Sequence, residues 1–167
     1  FGLMSEETPR LVIMANNITF TPIVPTARRM VEEARQQGAQ IIIALTHMEP
    51  HEDKYLAKKV KGINAIFGGH DHSKIAEHIG NTLLIKSGQE AQWLAKVMFE
   101  EKKNGTFSAS YEFIKNQDIK ENPEVLKKVK KYQQAQDALN GSNQTIAIID
   151  QDYDTLEDNL RSGNSAF

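Results

Sequence analysis

The sequence has 167 residues, which is enough for one ordinary domain with a buried core. Its 20 Lys and Arg residues against 22 Asp and Glu residues give a net charge of −2, which argues against a nucleic-acid-binding protein because such proteins carry a basic excess. There is no cysteine, which excludes disulfides, a thiol nucleophile and Cys-ligated metal centres. No apolar run approaches the roughly 20 residues that a transmembrane helix needs.

The first part of the chain predicts alternating strands and helices. Residues 18–22 form a short β-prone run, and residues 26–37 carry apolar side chains at helical spacing. The apolar run of residues 40–45 is typical of a strand that is buried on both faces. A second helix is predicted over residues 52–60 and a second buried strand over residues 63–67. A strand, a helix and a strand in this order predict a crossover that joins two parallel strands.

A hairpin is predicted after a further strand at residues 82–86. Apolar and polar side chains alternate over residues 93–102 and again over residues 106–114. Asn104-Gly105 lies between them, and Asn-Gly favours a type I′ turn, which needs two residues with positive φ. We therefore expect an antiparallel pair.

The last part of the chain predicts a helix followed by a break. Residues 124–139 place apolar side chains on one helical face, and the lysines around them form its solvated side. The polar run of residues 140–143 ends the pattern. Residues 145–149 are a final strand candidate.

Three of the five histidines follow predicted buried strands. His47 comes shortly after the apolar run of residues 40–45, and His70 and His72 come directly after that of residues 63–67. Ligands of open α/β sheets bind at the carboxyl ends of parallel strands, so both loops should open at one edge. Neutral imidazole is the commonest protein ligand of transition metals, and the two glycines before His70 would let the backbone turn and aim the rings inward. Together the three histidines predict a metal site.

Other polar and aromatic residues have simpler explanations. A lone histidine after a strand is more often an ordinary loop residue, and His51 and His78 lie in polar surroundings typical of a surface. Asp71 is either a carboxylate that orients a metal-binding histidine from behind or a solvated loop residue. Trp93 and Phe113 belong in a hairpin core rather than in a base-stacking site.

The histidine segments resemble those of a known enzyme family. The sequence THM at residues 46–48 and GGHDH at residues 68–72 resemble the last two motifs of the calcineurin-like metallophosphoesterases. The segments that begin at Gly2, Gly38 and Ile85 resemble the 5′-nucleotidase branch. That branch also contains 2′,3′-cyclic-nucleotide phosphodiesterases and nucleotide-sugar hydrolases. The likeness covers about residues 1–115.

This resemblance implies an α/β fold, which is part of an α/β/β/α sandwich with a mixed sheet and a C-terminal linker helix. It also implies two divalent ions (Mn, Zn, Fe, Co or Mg), with His47 and His70 on one ion and His72 on the other. The implied reaction is hydrolysis of nucleotide phosphoesters by metal-activated water. It assigns no catalytic residue and no substrate-binding residue to this chain.

The resemblance further implies a domain division. Residues 1–120 would be the C-terminal half of the metallophosphoesterase domain, residues 121–141 the linker helix, and residues 142–167 the truncated start of a second, substrate-binding domain. The family's Asp-x-His, Gly-Asp and Asn-His motifs do not occur in this sequence. We therefore expect a segment of a longer protein, whose N-terminal half and second domain are its partners and without which it is inactive.

Two further expectations follow from the resemblance. The protein should be periplasmic, at the cell surface or extracellular, although this sequence has no signal segment. The alternatives are a non-catalytic metal-binding or nucleotide-binding α/β module, and a structural fragment whose histidines are incidental.

Overall fold

The computed structural model describes residues 1–11 and 18–140. The chain divides into two compact units, Phe1–Ile119 and Lys120–Phe167. The strand candidate at residues 145–149 and the start of a second domain over residues 142–167 lie outside the described residues. Among those that are described, no helix is both long and apolar enough to cross a membrane.

The first unit alternates short strands and helices. Its elements are β1 (Gly2–Met4), α1 (Thr8–Leu11), α2 (Ile23–Gln36), β2 (Ile43–His47), α3 (Pro50–Lys59), β3 (Ala65–Gly68), β4 (Lys74–Ile79), β5 (Thr82–Ser87), β6 (Trp93–Glu101) and β7 (Phe107–Lys115). The second unit contains α4 (Pro123–Asn140).

Five strands form one mixed sheet in the order β1-β2-β3-β5-β4. β1, β2, β3 and β5 are parallel, and β4 pairs antiparallel with β5. The predicted crossover from β2 through α3 to β3 is confirmed, as is the predicted α/β class with a mixed sheet and a C-terminal helix. The sequence did not reveal β1 or β4, and the β-prone run at residues 18–22 forms no strand.

Helices α2 and α3 cover one face of this sheet. Their buried side chains, such as Ala27 and Leu56, pack with Ala44 of β2 in a single apolar cluster. The opposite face is only partly covered, because Leu45 is 57% exposed although β2 lies between two strands. The expectation that this strand is buried on both faces is therefore wrong for the described residues, where helices cover one side of β2.

The predicted hairpin is confirmed, but its turn differs from the expected one. β6 and β7 are antiparallel and pair Glu101 with Phe107. Gly105 N–H donates to the Lys102 carbonyl at 2.9 Å, and only Gly105 in this turn has positive φ (75°). This is the three-residue loop that ends in a left-handed glycine, not the two-residue type I′ turn.

Helix α4 begins with a side-chain cap. The Asn122 carboxamide oxygen accepts hydrogen bonds from the backbone N–H groups of Glu124 and Val125, at 3.0 and 3.2 Å. This satisfies two of the four amides that a helix start leaves unpaired. The predicted apolar face is solvent-exposed, since Tyr132 is 72% and Leu139 is 87% exposed.

We predict that the uncovered sheet face makes the chain self-associate. Met4, Leu45 and Phe67 help to line an open depression of about 420 Å³ on it, and contiguous exposed apolar surface favours association. Leu45→Lys should shift sedimentation toward the monomer. Tyr55→Lys, which changes a side chain of similar exposure (55%) on α3, is the control and should not. A wild-type chain that sediments as a monomer at all concentrations would contradict the prediction.

Candidate metal site

The two histidine loops lie at the same edge of the sheet. β2 and β3 pair in parallel with Thr46 opposite Gly68, and Gly69 N–H donates to the Thr46 carbonyl at 2.9 Å. This pairing brings the rings of His47 and His70 together, with centroids 4.8 Å apart and planes at 68°. His47 is exposed and His70 is half-buried, so solvent reaches the pair.

The sharp backbone turn in the second loop occurs at the histidines themselves. His70 has φ = 83° and His72 has φ = 60°, which are left-handed values that cost a residue with a Cβ about 1–3 kcal/mol. Gly68 and Gly69 do not have positive φ. The expectation that these glycines provide the turn is therefore wrong. Strain of this kind persists only where neighbouring structure enforces it, and it is common at functional sites.

Glu49 is a site residue that the sequence did not suggest. It is the N-cap of α3 and forms a reciprocal capping box with Glu52, whose carboxylate accepts from Glu49 N–H at 3.0 Å. Its Oε1 lies 3.2 Å from Nε2 of His70. The sequence signal that could have placed Glu49 was its spacing from Glu52 around Pro50, which is typical of a capped helix start.

His72 and Asp71 are placed differently from their neighbours. His72 is exposed, and no group of three or more His, Asp or Glu side chains within residues 1–11 and 18–140 is arranged to hold a metal ion. The Asp71 carboxylate contacts Lys86, and the carboxylate beside His70 is that of Glu49. His51 and His78 are exposed, as predicted.

The donor set fits part of a metal shell. Two imidazoles with a nearby carboxylate suit Zn²⁺ and other divalent first-row ions, which bind nitrogen and oxygen ligands. His47 and His70 alone are too few for the usual three or four protein ligands. The described residues therefore contain too few of these donors to close a metal shell by themselves.

A buried ammonium group lies beneath both histidine loops. The Lys86 side chain is 1% exposed, and its Nζ donates to the carbonyls of Met48 (2.7 Å) and Gly69 (2.8 Å) and to Oδ1 of Asp71. Oδ2 of Asp53 lies 3.1 Å from the same nitrogen. An ammonium has three hydrogens, so all of them are used, and Asp53 acts as a charge partner. The sequence signal for this group was a lysine that directly follows the apolar residues Leu83, Leu84 and Ile85 of β5.

Gly68 makes room for this ammonium. It lies between Thr46 and Lys86 in the register of β2, β3 and β5. A Cβ on Gly68 would lie 2.8 Å from Cε of Lys86 and 2.9 Å from Oδ2 of Asp53, which is too close. The glycine is thus required by packing rather than by backbone conformation.

The two carboxyl groups beside Lys86 have opposite pKa shifts. Burial raises the pKa of Asp53 above its usual value of 3.8, and the neighbouring Thr46 hydroxyl and Lys86 ammonium lower it by less. Burial also acts to raise the pKa of Asp71, but hydrogen bonds from Lys86 and Ser73 outweigh it and hold that pKa below 3.8. Asp71 is therefore the stronger acid of the two.

Comparisons with known proteins find similarity to nucleotide phosphoesterases. No family model matches the chain. The chain is 36% identical over 110 residues to the trifunctional nucleotide phosphoesterase protein YfkN of Bacillus subtilis, a match that covers 61% of this chain and 8% of that protein. It is 26% identical over 153 residues to the 5′-nucleotidase of Bos taurus, covering 78% of this chain and 27% of the relative.

A solved structure has the same fold. The 5′-nucleotidase precursor from Thermus thermophilus superposes with a TM-score of 0.64 at 18% identity, over 77% of this chain and 29% of that one. The chain thus spans less than a third of the length of each of these three proteins.

We predict that Gly68→Ala destabilises the chain by about 1–3 kcal/mol, the usual cost of overpacking. The new methyl group would collide with a Lys86 side chain that three hydrogen bonds hold in place. Gly69→Ala is the matched control, because a Cβ there meets its nearest atom, Nδ1 of His47, at an ordinary 3.7 Å. Urea denaturation of both variants measures the difference, and equal stabilities would contradict the packing argument.

We predict that Asp53 makes stability fall as the pH rises. Because its pKa is higher in the folded chain, the fold binds a proton more tightly than the unfolded chain between pH 3.8 and that raised pKa. The free energy of unfolding therefore decreases with pH across this interval. Asp53→Asn should remove that decrease, as followed by urea denaturation at successive pH values. Asp118→Asn removes an exposed carboxylate and is the control. A decrease that persists in Asp53→Asn would show that it arises elsewhere.

Proposed function

We propose that the chain is part of a 5′-nucleotidase-like protein and contributes to a divalent-metal site that hydrolyses nucleotide phosphoesters, because the relatives that it matches are nucleotide phosphoesterases. The observation that carries this proposal is the convergence of the His47 and His70 rings, 4.8 Å apart at the carboxyl ends of neighbouring parallel strands.

In this proposal His47 and His70 bind one ion through neutral ring nitrogens. Glu49, with Oε1 3.2 Å from Nε2 of His70, orients that ring or completes its contact with the ion. His72, which is exposed in the same loop, belongs to a second ion. Asp71, the carboxylate considered for orienting a histidine, acts on the loop through Lys86. Divalent ions bound here would supply an activated water and would offset negative charge on the phosphoryl group.

The complete reaction needs more than this chain provides. The chain covers 8% of the Bacillus subtilis relative and 27% of the bovine one, so hydrolysis itself is proposed for a larger protein that contains this chain. We propose that the remaining metal ligands come from an N-terminal half of the catalytic domain and that the nucleoside is bound by a second domain. Residues 1–120 and 121–141 would then be the end of the catalytic domain and its linker helix. By the same family likeness, we propose a location outside the cytoplasm.

A non-catalytic metal-binding module remains the second candidate. Residues 1–11 and 18–140 contain no group of three or more metal ligands, so a site limited to His47 and His70 would bind one ion without the second ion that two-metal hydrolysis uses. The two candidates share the His47 and His70 ligands and differ in whether hydrolysis follows.

We predict that the metal-stripped 167-residue chain binds one transition ion through His47 and His70. Titration with Zn²⁺ or Mn²⁺ by calorimetry should show binding that His47→Ala or His70→Ala weakens by about tenfold or more, since even outer partners of metal ligands change affinity by that factor. His72→Ala should have a smaller effect. His51→Ala and His78→Ala, which remove exposed histidines, are the controls and should bind like the wild type.

Phosphate release from nucleoside monophosphates distinguishes the two candidate functions. The chain alone should release no phosphate above background from nucleoside monophosphates, because two-metal hydrolysis requires ligands that bridge or flank both ions. The longer protein should hydrolyse them and should lose most turnover in His70→Ala. A longer protein that binds metal without hydrolysis would favour the non-catalytic module. Full activity in His70→Ala would overturn the site.

A further inference from the structure

We propose that Lys86 is a positioning residue for the metal site, whose ammonium holds the two histidine loops so that His47 and His70 face one ion. This proposal rests on the proposed function, in which those two histidines share an ion. It assigns a role to a residue on β5, a strand that contributes no histidine to the site.

The Lys86 ammonium contacts both loops at residues next to the histidines. Nζ of Lys86 donates to the carbonyl of Met48, the residue after His47, at 2.7 Å. It donates to the carbonyl of Gly69, the residue before His70, at 2.8 Å. Its third hydrogen goes to Asp71, between His70 and His72. One nitrogen atom therefore fixes the backbone on both sides of the pair of rings.

The position of this nitrogen is itself tightly fixed. The side chain is 1% exposed and passes over Gly68, where even a Cβ would come within 3.1 Å of Cγ and 2.8 Å of Cε. The fully buried carboxylate of Asp53 on α3 provides charge compensation at 3.1 Å. The lysine therefore transmits the position of the sheet and of α3 to the two loops.

The second histidine loop has a backbone conformation that is unfavourable without a restraint. His70 and His72 have left-handed φ values, which their Cβ atoms disfavour, so the second loop would relax if nothing restrained it. The hydrogen bonds to Gly69 and Asp71 bracket His70 and provide that restraint. A neutral side chain of the same length could not serve three acceptors of which one is a carboxylate.

The competing explanation is that Lys86 only stabilises the fold. Removing one partner of a buried ion pair is strongly destabilising, so a simple Lys86→Met variant that fails to fold would not discriminate. The test therefore starts from Asp53→Asn, which removes the fully buried carboxylate but none of the three hydrogen bonds from Lys86 to the loops. Metal affinity is therefore compared between variants of this one background, so that any effect of losing Asp53 is common to all of them.

The absence of cysteine makes a side-chain replacement possible at one position. Lys86→Cys in the Asp53→Asn background introduces the only thiol of the chain. Alkylating it in denaturant with 2-bromoethylamine and refolding restores an ammonium on a side chain of lysine length. Alkylating it with 1-bromopropane gives a neutral side chain of the same shape, which is the matched control.

Three measurements on the two refolded proteins test the proposal. In the metal-free state, the protein with the aminoethyl group should show nuclear Overhauser contacts between the His47 and His70 rings. It should also show slow exchange of the Gly69 amide, which donates to the Thr46 carbonyl. The protein with the propyl group should lose both signals. Zinc affinity by calorimetry should be about tenfold weaker or more with the propyl group. Urea denaturation measures the global stability of both proteins, so that affinity is compared only where each is folded.

The outcomes separate this proposal from the proposed function. A propyl protein that is folded and keeps ring contacts, Gly69 protection and zinc affinity overturns the role of Lys86. A propyl protein that does not fold, when the aminoethyl protein does, makes Lys86 a residue of the fold and overturns it as well. If the wild type binds no zinc, the proposed function and the metal part of this inference both fail. The ring contacts then still decide whether Lys86 holds the loops.

Discussion

The buried ammonium of Lys86 is the interaction on which the candidate site depends. It is enclosed by the sheet on one side and by α3 on the other, with Asp53 fully buried beside it. An unpaired charge in such a place is very costly, so the carbonyls of Met48 and Gly69 must approach it. One cation therefore links the chain that follows β2 to the chain that follows β3, and the two histidines lie beside these contacts.

The same region combines restraint with strain. Left-handed backbone at His70 and His72 lowers stability, while the pairing of β2 with β3 and the capped start of α3 hold the surrounding chain. Glu49 belongs to both parts, because it caps α3 and lies beside the His70 ring. The site is therefore built on rigid elements, which is what two imidazoles need if they are to present nitrogen atoms to an ion without reorganisation.

The sheet explains how a short chain forms an apolar core while one of its faces stays open. Helices α2 and α3 close one face with a compact apolar cluster, so the first unit has a core of its own. The other face leaves Leu45 and Met4 exposed, beside His47 at the end of β2. The first unit therefore has one covered face and one open face, and the candidate metal site lies at the margin of the open one.

The sequence by itself determined the βαβ crossover, the hairpin and the presence of histidines at the ends of adjacent strands, because apolar periodicity and strand order are local properties. It did not determine β1 or β4, which are too short or too polar to be recognised without their partners. Only the tertiary structure shows that close packing against Lys86 requires a glycine at position 68, and that the Glu49 carboxylate lies beside the His70 ring. It also decided that Lys86 joins loops 17 and 38 residues away, since the burial that makes a charge seek those partners exists only once the sheet has formed.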